Sequence, residues 1–137
     1  MTRERDDAEA IRRLLSDYGR LLDARDSAGW ATLFAPDGEW VGGDVYGVIA
    51  GRDNLSRFIS STFVDTPPCV HMLGNMAIEV DGDRATAWSR WLLIEQRDGG
   101  LHMSLAGSYS DRLVRLDEGW RFACREVNLD LAPAPAT

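Results

Sequence analysis

The chain has 137 residues, 45% of them apolar and 27% charged, which excludes wholesale disorder and leaves room for one domain. Fifteen Lys and Arg against 22 Asp and Glu leave a net charge of −7 with no basic block, so neither nucleic acid nor an anionic membrane is expected as a partner. The charged start MTRERDDAEA has no apolar centre to act as a signal peptide, and no apolar run approaches the ~20 residues of a membrane span, so a cytoplasmic protein is expected.

In chain order, Ile11, Leu14, Leu15, Tyr18, Leu21 and Leu22 recur at three- and four-residue spacing and predict a first helix with one apolar stripe. Ser27 is placed to cap a short second helix with Trp30, Leu33 and Phe34 on one face and Pro36 as its stop. Asp37-Gly38 then predicts a turn into a short extended piece, Glu39 to Val41. A third helix is predicted from Asp53 as cap to Phe63, burying Leu55, Phe58, Ile59 and Phe63, with Pro67-Pro68 closing the region. Turn residues at Asp81-Gly82-Asp83, Asp98-Gly99-Gly100 and Asp117-Glu118-Gly119 separate four long segments, Val70–Val80, Ala85–Gln96, Leu101–Leu116 and Trp120–Leu131. These read as an antiparallel meander. Helices followed by a meander predict an α+β domain over residues 1–131, a curled sheet closing on three N-terminal helices, with residues 132–137 (APAPAT) as a disordered tail.

The string LLSDYGRLLDARDSAGWATLFAPDGEW, then Gly51-Arg52-Asp53, then His71, then GSYSDRLVRLDEGWRFACRE, resembles the SnoaL-like group of the nuclear transport factor 2-like superfamily over nearly the whole chain. The resemblance implies an α+β cone with a deep pocket between the curved sheet and the helices. It is similar to bile-acid 7α-dehydratase, scytalone dehydratase and hexachlorocyclohexane dehydrochlorinase in having an Asp near the end of the first helix and a His early in the first long strand, here Asp23 and His71. Tyr18, five residues before the Asp, follows the bile-acid dehydratase pattern; the dehydrochlorinase has a Lys there. Trp40, Cys69 and Arg125 fall where the dehydrochlorinase pattern puts pocket residues. His102 comes too early to serve as the second pocket His of scytalone dehydratase. The acidic base of ketosteroid isomerases would fall near Trp40, with Glu39 as the neighbouring substitute.

The chemistry of these residue types fits that placement. A neutral imidazole at His71 can remove a proton near neutral pH, and Asp23 can fix its tautomer and stabilise the imidazolium; the structural alternatives are a strand histidine bonded to backbone and a carboxylate paired with Arg20 or Arg25. The Tyr18 phenol can donate to a leaving hydroxyl or a developing oxyanion, or can simply be core. Five residues at ~100° each set it about 140° from Asp23 on an ideal helix, flanking a pocket rather than stacked with it. Arg125, on an apolar strand face, needs either a carboxylate partner or a bound substrate oxygen. Trp40, Phe58 and Leu73 are expected as pocket walls together with Trp88; Trp88 and Trp91 have opposite strand parity, so only one can face inward. Cys69 shares the face of His71, but same-face strand neighbours seldom point at one another, which argues against a Cys–His nucleophile. Cys69 and Cys124 read as buried thiols. No P-loop, dinucleotide fingerprint or nucleophile elbow is present, and His71 and His102 lack acidic neighbours at ligand spacing, so no cofactor and no metal are expected.

The expectation is a cofactor-independent lyase or isomerase acting on a small, largely apolar hydroxylated ring, terpenoid or polyketide, with an Asp23–His71 dyad as general base aided by Tyr18. The alternative is a non-catalytic small-molecule-binding or assembly module of the same fold; a hydrolase would use the same dyad. Apolar residues on both parities of Ala85–Gln96 also predict a homo-oligomer, dimer or trimer.

Overall fold

A computed structural model describes residues 2–134. Of the expected tail, residues 132–134 are exposed and without regular structure, and residues 135–137 lie outside the described residues.

The first apolar stripe folds as α1 (Thr2–Asp23), with Ile11, Leu14, Leu15, Tyr18 and Leu22 each buried. Its first half is tied to the sheet by Asp7, which accepts from both Arg115 Nη atoms at 2.6 and 2.5 Å and from Trp120 Nε1 at 3.2 Å. The short α2 (Ser27–Ala31) is capped by Asp26, whose carboxylate accepts from the Gly29 N–H at 3.0 Å, so the cap lies one residue before the expected Ser27. Pro36 does not stop this helix, which has already ended at Thr32. It lies inside β1 (Phe34–Val41), whose pairing shifts register between Phe34 and Glu39. Asp37-Gly38 therefore belongs to an irregularity within one eight-residue strand, and is not a turn before a separate extended piece.

Two short elements escape hydrophobic periodicity because neither is long enough to complete a second repeat: the single-turn α3 (Gly43–Tyr46) and β2 (Val48–Ala50). In α4 (Arg52–Thr62) the cap is Gly51, at φ 86°, a left-handed conformation that glycine adopts without steric penalty; Asp53 sits inside the first turn. The predicted meander is β3 (Cys69–Asp81), β4 (Arg84–Arg97), β5 (Gly100–Leu116) and β6 (Gly119–Leu131). The β4–β5 hairpin turns on Asp98 and Gly99, both at positive φ, the geometry that matches strand twist.

The sheet order is β2-β1-β6-β5-β4-β3, and β1 runs parallel to β6 while the other pairings are antiparallel. Register shifts at Gly74/Ala77, Leu93/Ile94, Ala106/Gly107 and Arg112/Leu113 bend the long strands, so the sheet curls without closing and holds the helices on its concave side. The core between the layers is aromatic: Tyr18, Trp30, Phe34 and Phe122 meet with ring centroids 5.0 to 5.8 Å apart. Exposed apolar side chains of the sheet include Val70, Met72, Met103 and Leu131. No helix among the described residues is long and apolar enough to cross a membrane.

Candidate active site

Asp23 is the last residue of α1, where the helix dipole opposes a carboxylate. The opposition is met by β3. The Asp23 oxygens accept from the His71 backbone N–H at 3.1 and 3.0 Å, and the His71 ring Nδ1 lies 2.6 Å from Oδ1. Gly19, one turn earlier, faces the same strand, and a Cβ there would rest in ordinary contact, 3.4 Å from the His71 carbonyl oxygen and 3.6 Å from its Cβ. Helix end and strand are thus joined through one carboxylate, and the proton on Nδ1 is fixed towards it. Nε2 is left as the ring nitrogen available to a ligand.

The pair is largely withdrawn from water, with side-chain exposures of 12% for His71 and 21% for Asp23. Burial by itself would lower the imidazole's pKa. The Asp23 carboxylate, helped by the neighbouring Cys69 sulfur, overrides burial and pushes it up to about 9.

His71 stands between two hollows. One, of about 340 Å³, lies between α1 and β3 and reaches Asp23, Gly19, Leu73 and Tyr18. The other, of about 330 Å³, is the interior of the cone, walled by Trp40, Tyr46, Phe58, Trp91 and Tyr109, with Leu22, Leu93, Leu105 and Val127 between them. Apolar walls with a few convergent polar groups are the usual make-up of a small-molecule site. A wider hollow of about 810 Å³ beside the start of α1 is lined by Glu4, Arg5, Asp6, Glu9 and Arg12, and no polar pair of this kind faces it.

Tyr18 sits in the wall shared by both hollows, 3% exposed. Its hydroxyl accepts from Trp40 Nε1 at 3.0 Å and keeps its own proton to donate; burial raises its pKa, so the phenol stays protonated. Trp40 and Phe58 form the aromatic wall together with Tyr46 of α3, at 4.8 to 5.8 Å between centroids. Gly42 is needed here, because a Cβ would come within 2.3 Å of the Trp40 ring.

Among the expected pocket residues, Trp88 and Arg125 lie away from both hollows, and Leu73 walls the α1–β3 one. Trp88 points to the convex face, 38% exposed, with the Arg90 guanidinium 5.2 Å from its ring. The inward tryptophan is Trp91, seated on Gly107 and donating from Nε1 to the Ser108 carbonyl at 3.2 Å, so strand parity selected the other member of the pair. Leu73 borders the α1–β3 hollow, one inward position beyond His71, and does not line the cone interior. Arg125 does not line either hollow. It is fully buried beneath the floor, paired with Asp111 at 2.7 and 2.9 Å, with its Cζ 4.2, 3.6 and 4.5 Å from the ring centroids of Tyr18, Tyr109 and Phe122. The carboxylate alternative holds for Arg125, and its influence on a ligand passes through the two tyrosines.

Tyr109 was missed by the sequence reading, although it faces both hollows and packs against Trp91 at 6.0 Å. Its inward parity with Asp111 and Leu113 was the available signal. Burial holds its phenol well above the usual range, so it too remains a donor.

Among the described residues, Asp23, Cys69 and His71 bring potential metal-ligand atoms within 4.8 Å of one another. They do not suit a divalent cation. The 2.6 Å Asp23–His71 contact is shorter than the about 3.3 Å between ligands of a tetrahedral ion, and Arg25 Nη2 already lies 3.7 Å from the Cys69 sulfur.

A curved sheet wrapped on helices, with an Asp–His pair at the wall of an internal aromatic cavity, defines a class of α+β cone proteins built around a pocket. The model of the SnoaL-like domain matches residues 3–126, and the chain belongs to that family. It is 31% identical over 120 residues to the uncharacterized protein Rv2910c of Mycobacterium tuberculosis, covering 84% of this chain and 80% of that one. Among solved structures, it is similar to an NTF2-like protein with a cystatin-like fold from Novosphingobium aromaticivorans (28% identity, TM-score 0.89, 93% of this chain and 84% of that one). It is also similar to a candidate scytalone dehydratase from the same organism (25% identity, TM-score 0.83, 100% of this chain and 93% of that one).

Proposed function

We propose that the protein is a cofactor-independent lyase or isomerase that removes a proton next to an activating group of a small, neutral, largely apolar hydroxylated ring, terpenoid or polyketide. The observation that carries this reading is the 2.6 Å contact between Asp23 and His71 at the wall of an aromatic cavity. The likeness to a candidate scytalone dehydratase supports the same reaction class.

In this mechanism neutral Nε2 of His71 takes the proton, and Asp23 stabilises the imidazolium as it forms. The imidazolium then protonates a departing hydroxyl, or returns the proton at a second carbon in an isomerisation. Tyr18 and Tyr109, both held protonated, donate to the oxygen on which charge develops. The Asp111–Arg125 pair beneath fixes the rings of both tyrosines. A pKa of about 9 makes the imidazole a stronger base but leaves about one molecule in a hundred neutral at pH 7, so turnover rises with pH.

The test is a panel of cyclic β-hydroxy ketones incubated in D₂O and followed by NMR. Wild-type protein is expected to exchange the α-proton and release water, and His71→Ala to do neither. Exchange at an undiminished rate in His71→Ala would sink the reading.

A further inference from the structure

We propose that Cys69 is a nucleophilic thiol of the cavity that adds to the β-carbon of a neutral α,β-unsaturated carbonyl compound, with His71 carrying the proton. Cys69 is partly exposed, opens β3 two residues before His71, and lines the cone interior beside it. Same-face residues on a strand lie about 6.6 Å apart along its axis. Here the sulfur, a ring nitrogen of His71 and an Asp23 carboxylate oxygen lie within 4.8 Å of one another, a looser form of the nucleophile, base and orienting-acid arrangement, in which thiol and imidazole still have to close to hydrogen-bond distance.

A second group is aimed at the same sulfur. Arg25 Nη2 donates to Sγ at 3.7 Å. The same Nη2 donates to the Pro67 carbonyl at 3.0 Å while Nη1 donates to the Phe63 carbonyl at 3.3 Å, and the guanidinium lies 5.3 Å from the Phe63 ring centroid, so it is fixed beside the sulfur. The chain adopts a left-handed φ of 60° at Arg25, just past the end of α1, in a Schellman turn closed by the Asp26 N–H on the Leu21 carbonyl at 3.0 Å and the Arg25 N–H on the Leu22 carbonyl at 3.1 Å. The acidic side chain opposite Cys69 is Glu95, its register partner on β4. Cationic and hydrogen-bonding neighbours of this kind are what distinguish reactive cysteines from inert buried ones.

The step balances without a further reactant. The thiol proton passes to the imidazole, the sulfur electron pair forms the S–C bond, and the C=C pair moves to the α-carbon as an enolate. The imidazolium then returns its proton to that carbon, giving a saturated thioether. The cavity lining carries the Glu95 carboxylate, and Arg25 is occupied by the Phe63 and Pro67 carbonyls and the sulfur, which favours a neutral electrophile over a carboxylate or phosphate ester. The addition uses the dyad's geometry but does not depend on the elimination reaction.

Cys124 is a control within the same chain. It lies on the convex-face groove, and burial pushes its thiol pKa up. The native protein is treated with cyclohex-2-enone and followed by intact mass and peptide mapping. Cys69 is expected to gain one enone at least tenfold faster than Cys124, and to slow at least tenfold in both His71→Gln and Asp23→Asn while the Cys124 rate stays constant. A constant Cys124 rate also reports that the variants remain folded; if it rises, the wild-type ratio of the two cysteines decides. Equal labelling of the two cysteines in the native protein, or a Cys69 rate unchanged in folded variants, overturns the proposal. Loss of selectivity with α-proton exchange intact removes the thiol proposal alone, whereas selective labelling without exchange removes the elimination reading alone.

Discussion

Two carboxylates inside this domain each hold a nitrogen base, and they differ in every respect that matters for chemistry. Asp23 holds His71 at 2.6 Å beside a cavity, with both side chains partly open to it. Asp111 holds Arg125 at 2.7 Å with neither side chain exposed, sealed among three aromatic rings. The first pair contains a group that can lose its proton in an accessible pH range, next to space for a ligand. The second contains a guanidinium that does not deprotonate in proteins, next to none. Accessibility and titratability together, rather than the presence of a buried charge pair, mark the reactive one.

The comparison is broken most severely at His71. His71→Ala is expected to lower turnover by about 10²- to 10⁴-fold with the far-ultraviolet circular dichroism unchanged, as fits the loss of a general base from an intact cavity. Asp111→Ala should do the reverse. Leaving Arg125 buried without its counter-ion is expected to reduce unfolding free energy by about 3–5 kcal/mol in urea titration, while the molecules that stay folded lose far less turnover than His71→Ala does. If Asp111→Ala left stability intact, the assignment of that pair to structure would fail.

The pH dependence sharpens the distinction further. His71 has a folded pKa of about 9, above its unfolded value near 6.5. Its contribution is therefore fully present below pH 6.5 and is lost as pH rises through about 9, on the order of 3 kcal/mol by denaturant titration. Over the same interval kcat/KM is expected to rise, because the base form appears as the stabilisation disappears. Asp23→Asn should flatten the stability curve and move the activity midpoint to lower pH. An activity that falls between pH 7 and 9 would recast His71 as a general acid. The smallest effect is expected at Trp88, whose replacement by Ala on the convex face should change stability by no more than about 0.5 kcal/mol and leave ligand-induced quenching of tryptophan fluorescence, which Trp40 and Trp91 report, in place.

Much of the fold was legible because it is written locally. The stripe from Ile11 to Leu22 and the turns at Gly82, Gly99 and Gly119 report on their own neighbourhood, and the α1 helix and the four long strands followed from them. What was misread lay where local signals are short or ambiguous. α3 and β2 carry four and three residues, Pro36 occupies a strand irregularity that a helix stop resembles, and Trp88 and Trp91 could be separated only once the phase of β4 against the helices was known. Within the site, Asp23 and His71 were reached through resemblance and residue chemistry, whereas Tyr109 and the Asp111 partner of Arg125 were not singled out.

By itself the sequence determined the α+β class, the boundaries of the four long strands to within a few residues and the small set of side chains able to exchange protons, since periodicity, turn preference and ionisation belong to short stretches and single residues. Only the tertiary structure decided which of those side chains meet. Asp23 and His71 are 48 positions apart, and Asp111 and Arg125 are 14 apart on neighbouring strands. Contacts of that kind depend on strand register, on where bulges bend the sheet and on how closely helix and strand approach, all of which are set by packing across the whole chain.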